Sequence, residues 1–173
     1  VFMTFEEMAK KRYSVKKFKN TPVEPEKLQK IFEVAGIAPT ARNAQAARIY
    51  VIKSPEALKK ANELTPCIYG APIALLFTYS TKEYYPYPKE PTQHSGDEDA
   101  AILATHVMFE ALEQGLGTCW VNCFTPTEAK KAFDLPEDEY PVLFMPLGYA
   151  AEDAKPLANH TKKKPLGDIV KEL

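Results

Sequence analysis

The stretch that most restricts the fold is PIALLFTY, Pro72 to Tyr79, a near-continuous apolar run. A strand with one solvated face alternates apolar and polar residues, because successive side chains point to opposite faces. A run without that alternation reads as a strand buried on both sides, which demands covering layers above and below it. YPVLFMPLGY, Tyr140 to Tyr149, reads as a second strand, and ARIYVIK and TCWVNCF as two more. Between them lie helical patterns. Thr4 and Glu7 form a capping box before a helix over 5–11. In EPEKLQKIFEVAGIAP, Leu28, Ile31, Phe32 and Ala35 share a helical face, with Gly36 and Pro39 ending the helix. SPEALKKANEL has Ser54 as N-cap and Pro55 in the first turn, and TPTEAKKAF carries a second capping box, Thr125 with Glu128. An extended tail leads to a short final helix in LGDIVKEL. With no repeat and no linker, the chain reads as one α+β domain over residues 1–173.

Two segments stand apart. The helix over 97–116 has polar residues only in a narrow stripe, His106, Glu110, Glu113 and Gln114, after its acidic first turn. A helix that apolar is buried on most sides, and in a chain this short that points to a subunit interface. The segment 80–96 places Tyr84, Tyr85 and Tyr87 among Pro86, Pro88 and Pro91, and no regular period survives that proline density. It reads as an ordered flap with the tyrosines as pocket-lining candidates, or as a tolerated insertion.

Charge is unevenly spread. RYSVKKFKN, Arg12 to Asn20, packs four cations into nine residues without helical spacing, in a chain whose formal net charge is -1. Residues 1–60 hold 13 Lys and Arg against 6 Glu, whereas 90–140 hold 11 Asp and Glu against 2 Lys. A pI near 6.4 argues against a nucleic-acid surface. A local anion site built on Arg12, Ser14, Lys16 and Lys17 fits better, and it needs fixed geometry, since an ion pair in water contributes only ~1 kcal/mol at 4 Å. No GxGxxG or Walker A motif is present to cradle a phosphate, so side chains must hold it. HExxH, CxxC and GxSxG are absent too, giving no support for a metal site or a nucleophile elbow. Cys67, Cys119 and Cys123 show no disulfide framework and read as small core hydrophobes. His106 reads as a hydrogen-bonded structural histidine, and His94 and His160 as loop residues. Without a membrane-length apolar run or a leader-like apolar region, the expected location is the cytoplasm.

RYSVKKF, APTARNAQAARIYVI, GLGTCWVNCF and MPLGYA followed by HTKKKPLGDIVKEL, in this order, resemble the FMN-dependent nitroreductase family in its short form. The resemblance implies a central mixed or antiparallel sheet flanked by helices, and a homodimer with FMN at the interface. It also implies hydride transfer from NADH or NADPH to a small organic acceptor (nitroaromatic, quinone or enone) by a ping-pong route. By position, Arg12 and Ser14, with Tyr13 between them, would hold the FMN phosphate together with Lys163 and Lys164. Lys16 and Asn43 would face the pyrimidine edge, Gln45 the flavin or ribityl chain, and the backbone of Asn122 and Cys123 the hydride-carrying N5. No side chain is assigned as acid or base. Two departures stand out: the family's Gln-Pro-Trp is Gln45-Ala46-Ala47, and Lys163 replaces the commoner arginine, which loses a bidentate fork. A flavin-binding or storage module without turnover, and a flavin-fragmenting or dehalogenating relative, are the alternatives.

Overall fold

In the computed structural model, which describes residues 3–173, the helices are α1 (Phe5–Lys11), α2 (Pro25–Gly36), α3 (Pro55–Leu64), α4 (Gly96–Glu113), α5 (Pro126–Ala132) and α6 (Leu166–Ile169). The strands are β1 (Ala47–Ile52), β2 (Ile73–Ser80), β3 (Gly117–Thr118) and β4 (Glu139–Gly148), in one sheet of order β1-β2-β4-β3 whose ladders are all antiparallel. The first two residues of the expected domain lie outside the described residues.

The unbroken apolar run of β2 has a direct cause. All eight of its residues are buried, and alternate ones enter two different cores. Ile73, Leu75 and Phe77 pack with Ile31 and Ala35 of α2 and Ala104, Val107 and Ala111 of α4. Ala74 and Leu76 pack on the other face with Ala61 of α3, Ala129 of α5 and Ile68. In β4, Leu143, Met145 and Leu147 join the first core and Phe144 the second. The sheet is therefore the middle of three layers, as the sequence requires. Both capping features at the start of the chain form: Thr4 and Glu7 exchange hydrogen bonds, and Ser54 accepts from the Ala57 N–H.

Three local expectations need correction. TCWVNCF is not one strand: β3 ends at Thr118, and pairing with β4 resumes only at a bridge between Val121 and Phe144. The Phe144 N–H donates to the Val121 carbonyl, so two residues on, the same edge of β4 presents Pro146, which has no N–H to give. The ladder is interrupted opposite Cys119 for that reason. At α5, Thr125 is the N-cap but makes no side-chain cap hydrogen bond, so the second capping box does not form. The long apolar helix ends at Glu113 rather than 116. Gly115 turns the chain out at φ +79°, with Gly115 N–H bonded to Leu112 O and Leu116 N–H to Ala111 O, the paired bonds of a Schellman motif.

Phe144 connects the α3/α5 core to the broken strand: it is fully buried, and its ring meets Phe124 edge-on at 5 Å centroid separation to the nearest ångström (4.7 Å). Replacing it with alanine leaves a cavity that neither layer can close. Phe144→Ala should lower the unfolding free energy by about 3–5 kcal/mol in urea denaturation; a loss below ~1 kcal/mol would show that this core is not close-packed.

Candidate active site

The basic segment owes its position to one strand and one missing side chain. The chain leaves α1 extended at Arg12; Ser14 then pairs with Thr118 in a parallel bridge, and the Val15 N–H donates to the Thr118 carbonyl at 2.9 Å. Val15 is 2% exposed and lies over Gly117, where a Cβ would sit 2.5 Å from Val15 Cγ2. No side chain other than hydrogen fits there. The two glycines of GLG therefore act separately: Gly115 turns the chain, and Gly117 admits the basic segment.

Alternation along this extended segment sorts its charges. Ser14 and Lys16 line a cleft of about 380 Å³, within the ~300–1,000 Å³ range of small-molecule sites. The other walls are Trp120 to Cys123 after β3, Tyr69 before β2, and His160 from the tail. Arg12 and Tyr13 line the adjoining groove with Thr118 and with Met108 and Leu112 of α4. The Cys119 thiol shows how closely the segment converges. Burial pushes its pKa up, while the Lys16 ammonium, the Ser14 hydroxyl and the Arg12 guanidinium act in the opposite direction. Lys17, grouped with these cations on sequence, faces elsewhere: its ammonium pairs with Asp153.

The Asn122 side chain is occupied structurally, accepting from Trp120 Nε1 at 2.8 Å and donating to the Val142 carbonyl at 2.9 Å. Among the described residues, the backbone N–H groups of Asn122 and Cys123 have no acceptor in the chain. Both residues line the cleft, which leaves these donors at its edge. Tyr69 is a wall that the sequence did not single out. It adopts the left-handed conformation at φ 56°, uncommon for an aromatic residue, and Lys16 Nζ lies 5.8 Å from its ring centroid. Its hydroxyl pKa is raised, first by a hydrogen bond to Cys67 and then by burial.

The tail is tied alongside. Tyr13 meets His160 edge-on at 6.4 Å, Ala151 N–H donates to the Lys17 carbonyl at 3.0 Å, and Lys19 pairs with Glu152 at 3.2 Å. Lys163 and Lys164 follow, exposed and in no salt bridge among the described residues.

Asn43 and Gln45 lie elsewhere. They precede β1, on the edge of the sheet opposite β3, and Gln45 lines a groove with Phe32, Thr40 and Leu103. Ala47 sits level with Tyr79 and Tyr140, whereas Thr118 sits level with Leu147. Strand spacing and rise put these corners about 14 Å apart across the sheet and about 23 Å along it. Within one chain, Lys16 and Asn43 do not meet. The loop is itself unusual, because Arg42, Asn43 and Gln45 all have φ near +53° (53°, 54° and 52°). Ala46, where the family has proline, is fully buried, and its carbonyl accepts the Ser80 N–H at 2.9 Å.

Other sequence readings change as well. Only Cys119 is a buried hydrophobe; Cys67 is half-buried and Cys123 exposed, and all three line the cleft. His94 is no bare loop residue, since its ring stacks on Tyr84 at 4.3 Å. His106 does bond within its helix, Nδ1 to the Ile102 carbonyl at 2.8 Å. His160 had one available signal, its closeness in sequence to the lysine run. Tyr69 had none beyond its place just before a buried strand.

A model of the Nitroreductase family matches residues 9–66 and 60–149, and the chain belongs to that family. The crystal structure of a nitroreductase family protein from Clostridium difficile 630 has a TM-score of 0.91 and 35% sequence identity, with 98% of each chain covered. The Bacillus subtilis FMN reductase (NAD(P)H) is 26% identical over 156 residues, 80% of this chain and 63% of its own length. This chain thus spans less than two thirds of that relative. A structure from Exiguobacterium sibiricum, solved in complex with FMN, shares the fold at a TM-score of 0.85 and 19% identity, over 100% of this chain and 99% of that one.

The Lys17 ammonium holds the Asp153 carboxyl below the ordinary aspartate range. The tether is therefore at full strength above that range and is lost as pH falls through the lowered value. Asp153→Asn should speed amide hydrogen exchange over residues 154–165 at neutral pH and leave the melting temperature nearly unchanged. Exchange at the wild-type rate would show that the pair does not hold the tail.

Proposed function

We propose that this chain is an FMN-dependent oxidoreductase that takes hydride from NADH or NADPH and delivers it to a small organic acceptor by a ping-pong route. The observation that carries this reading is the convergence of Ser14 and Lys16 with the N–H groups of Asn122 and Cys123 around one cleft, with Arg12 in the groove that adjoins it, in a chain of the nitroreductase family. The donor set fits FMN. A phosphate dianion needs cations and a hydroxyl in fixed geometry, and Arg12 and Ser14 supply them on backbone anchored to β3. Each charge-assisted bond contributes ~1.5–3 kcal/mol, enough to replace a glycine-rich phosphate loop. Lys163 and Lys164 follow the tethered His160 and would close over the same phosphate.

FMN, when bound, supplies the atom that accepts and returns hydride. The chain's part is to bind and orient. The Lys16 ammonium would lie at the pyrimidine edge, where positive charge favours the electron-rich form of the cofactor. The N–H groups of Asn122 and Cys123 would hold the ring from the side of β3.

Asn43 and Gln45 sit at the far corner of the sheet, so for them to complete this site a second copy must bring its own corner to the cleft. Two features support such a homodimer. Phe5, Met8, Val34 and Phe109 line an apolar groove of about 380 Å³ along α1 and α4. Beyond the tail, α6 and the residues after it expose Leu166, Ile169 and Val170, at 72%, 68% and 56%. Apolar surface of this kind marks an interface.

An absorbance spectrum of the purified protein, before and after anaerobic NADH or NADPH, tests the reading. Flavin bands that bleach on reduction are expected. Flavin that stays oxidised would favour a binding module without turnover, and a colourless protein that refuses added FMN would overturn the assignment. Lys16→Ala should weaken FMN binding about tenfold or more, equivalent to ~1.4 kcal/mol; an unchanged dissociation constant together with an unchanged rate of flavin reduction would remove Lys16 from the site.

A further inference from the structure

Asp99 is a carboxylate that neither the cleft nor the family motifs account for. It lies in the first turns of α4 and is 1% exposed. A buried carboxylate is costly unless hydrogen bonds satisfy it, and its two oxygens reach two different segments. Oδ1 accepts the Ala41 N–H at 2.9 Å, at the start of the loop that carries Asn43 and Gln45. Oδ2 accepts the Ser95 hydroxyl at 2.7 Å, at the end of the 80–96 flap. Ser95 is fully buried, and its Oγ in turn accepts the Tyr85 N–H at 3.0 Å while its own N–H donates to the Tyr85 carbonyl at 3.0 Å. Two surface contacts run in parallel: the Arg42 guanidinium lies 5.3 Å from the Tyr85 ring centroid, and Arg48 pairs with Glu83.

The loop at the Ala41 end is strained. Three non-glycine residues within four positions have positive φ, Arg42, Asn43 and Gln45. Conformations of this kind persist only where the surroundings over-determine them. Asp99 is the buried part of that restraint, with Thr40 Oγ1 accepting the Gln45 N–H at 3.0 Å and the Gln45 carbonyl accepting from Arg48 Nη1 at 2.9 Å as the exposed part.

We propose that Asp99 is a positioning residue that locks the strained 41–45 loop to the root of the 80–96 flap, so that the two move as one unit. This rests on the oxidoreductase reading for its functional consequence, namely that the hold of Asn43 and Gln45 on the cofactor and the flap's selection of acceptor are coupled. The coupling itself does not need FMN to be measured.

Ser95→Ala removes the hydroxyl between Asp99 and Tyr85 while leaving the Ala41 bond in place. Asp99→Asn keeps one acceptor oxygen but turns the other position into a donor. Amide exchange in both variants should accelerate over residues 41–46 and 83–90 together. In FMN-loaded protein, Ser95→Ala should raise KM for a quinone acceptor such as menadione and the FMN dissociation constant several-fold each, with Ser95→Thr restoring both. Acceleration confined to 83–90 in Ser95→Ala would overturn the coupling even if Asp99→Asn fails to fold. So would a lowered melting temperature with both binding parameters unchanged, since that is a merely structural role. A wild-type protein that binds no FMN sinks the oxidoreductase reading instead, and the exchange experiment still decides the coupling.

Discussion

The contact between Val15 and Gly117 is the one on which the site depends. It brings an extended, cation-rich segment against a two-residue strand closely enough for a backbone hydrogen bond from Val15 to Thr118. Any side chain at Gly117 would push that segment outward, and Ser14, Lys16 and the Arg12 backbone would move with it. Sheet geometry then turns the segment's alternation into chemistry: Ser14 and Lys16 face the cleft, Val15 faces the core, and Lys17 faces the tail. Four cations in nine residues thus do different work, which the net charge of the segment does not express.

Under the proposed function, the sheet also explains why one chain would supply only half of the cofactor site. Strand order β1-β2-β4-β3 puts the basic segment on one edge and the Asn43–Gln45 loop on the other, with two buried strands between. Those central strands are covered on both faces by helices, so no ligand passes through the layer. A cofactor held by both motifs must lie between copies, where one chain presents its β3 edge and the other its β1 loop. The half-buried apolar residues of α4, among them Ile102, Leu103 and Phe109, and the exposed apolar end of the chain are consistent with that arrangement.

The layered fold was legible because burial leaves a direct trace in sequence. PIALLFTY could only be a doubly covered strand, and Thr4, Ser54 and the apolar face of Leu28 to Ala35 announced helices that form where expected. Legibility failed where the deciding group was absent or distant. The break after Thr118 follows from the missing N–H of Pro146, a residue on another strand. The contact of Lys16 with the Tyr69 ring and the link from Asp99 to Ala41 join positions far apart in the chain, and no local pattern marks them. The candidate cofactor residues were legible only as motif pieces; their division between two corners of the sheet came from register.

The central claim, that FMN is held jointly by the β3 edge of one chain and the Asn43–Gln45 loop of another, is tested most directly by subunit complementation. A chain carrying Arg12→Ala and Lys16→Ala is mixed, under conditions that exchange subunits, with a chain carrying Asn43→Ala and Gln45→Ala. In a mixed dimer one site collects all four substitutions and the other has none. The account predicts that the mixture regains FMN binding toward one site per mixed dimer, although each variant alone binds poorly. A mixture that binds no more FMN than its two components would place both motifs around the cofactor from the same chain and contradict it.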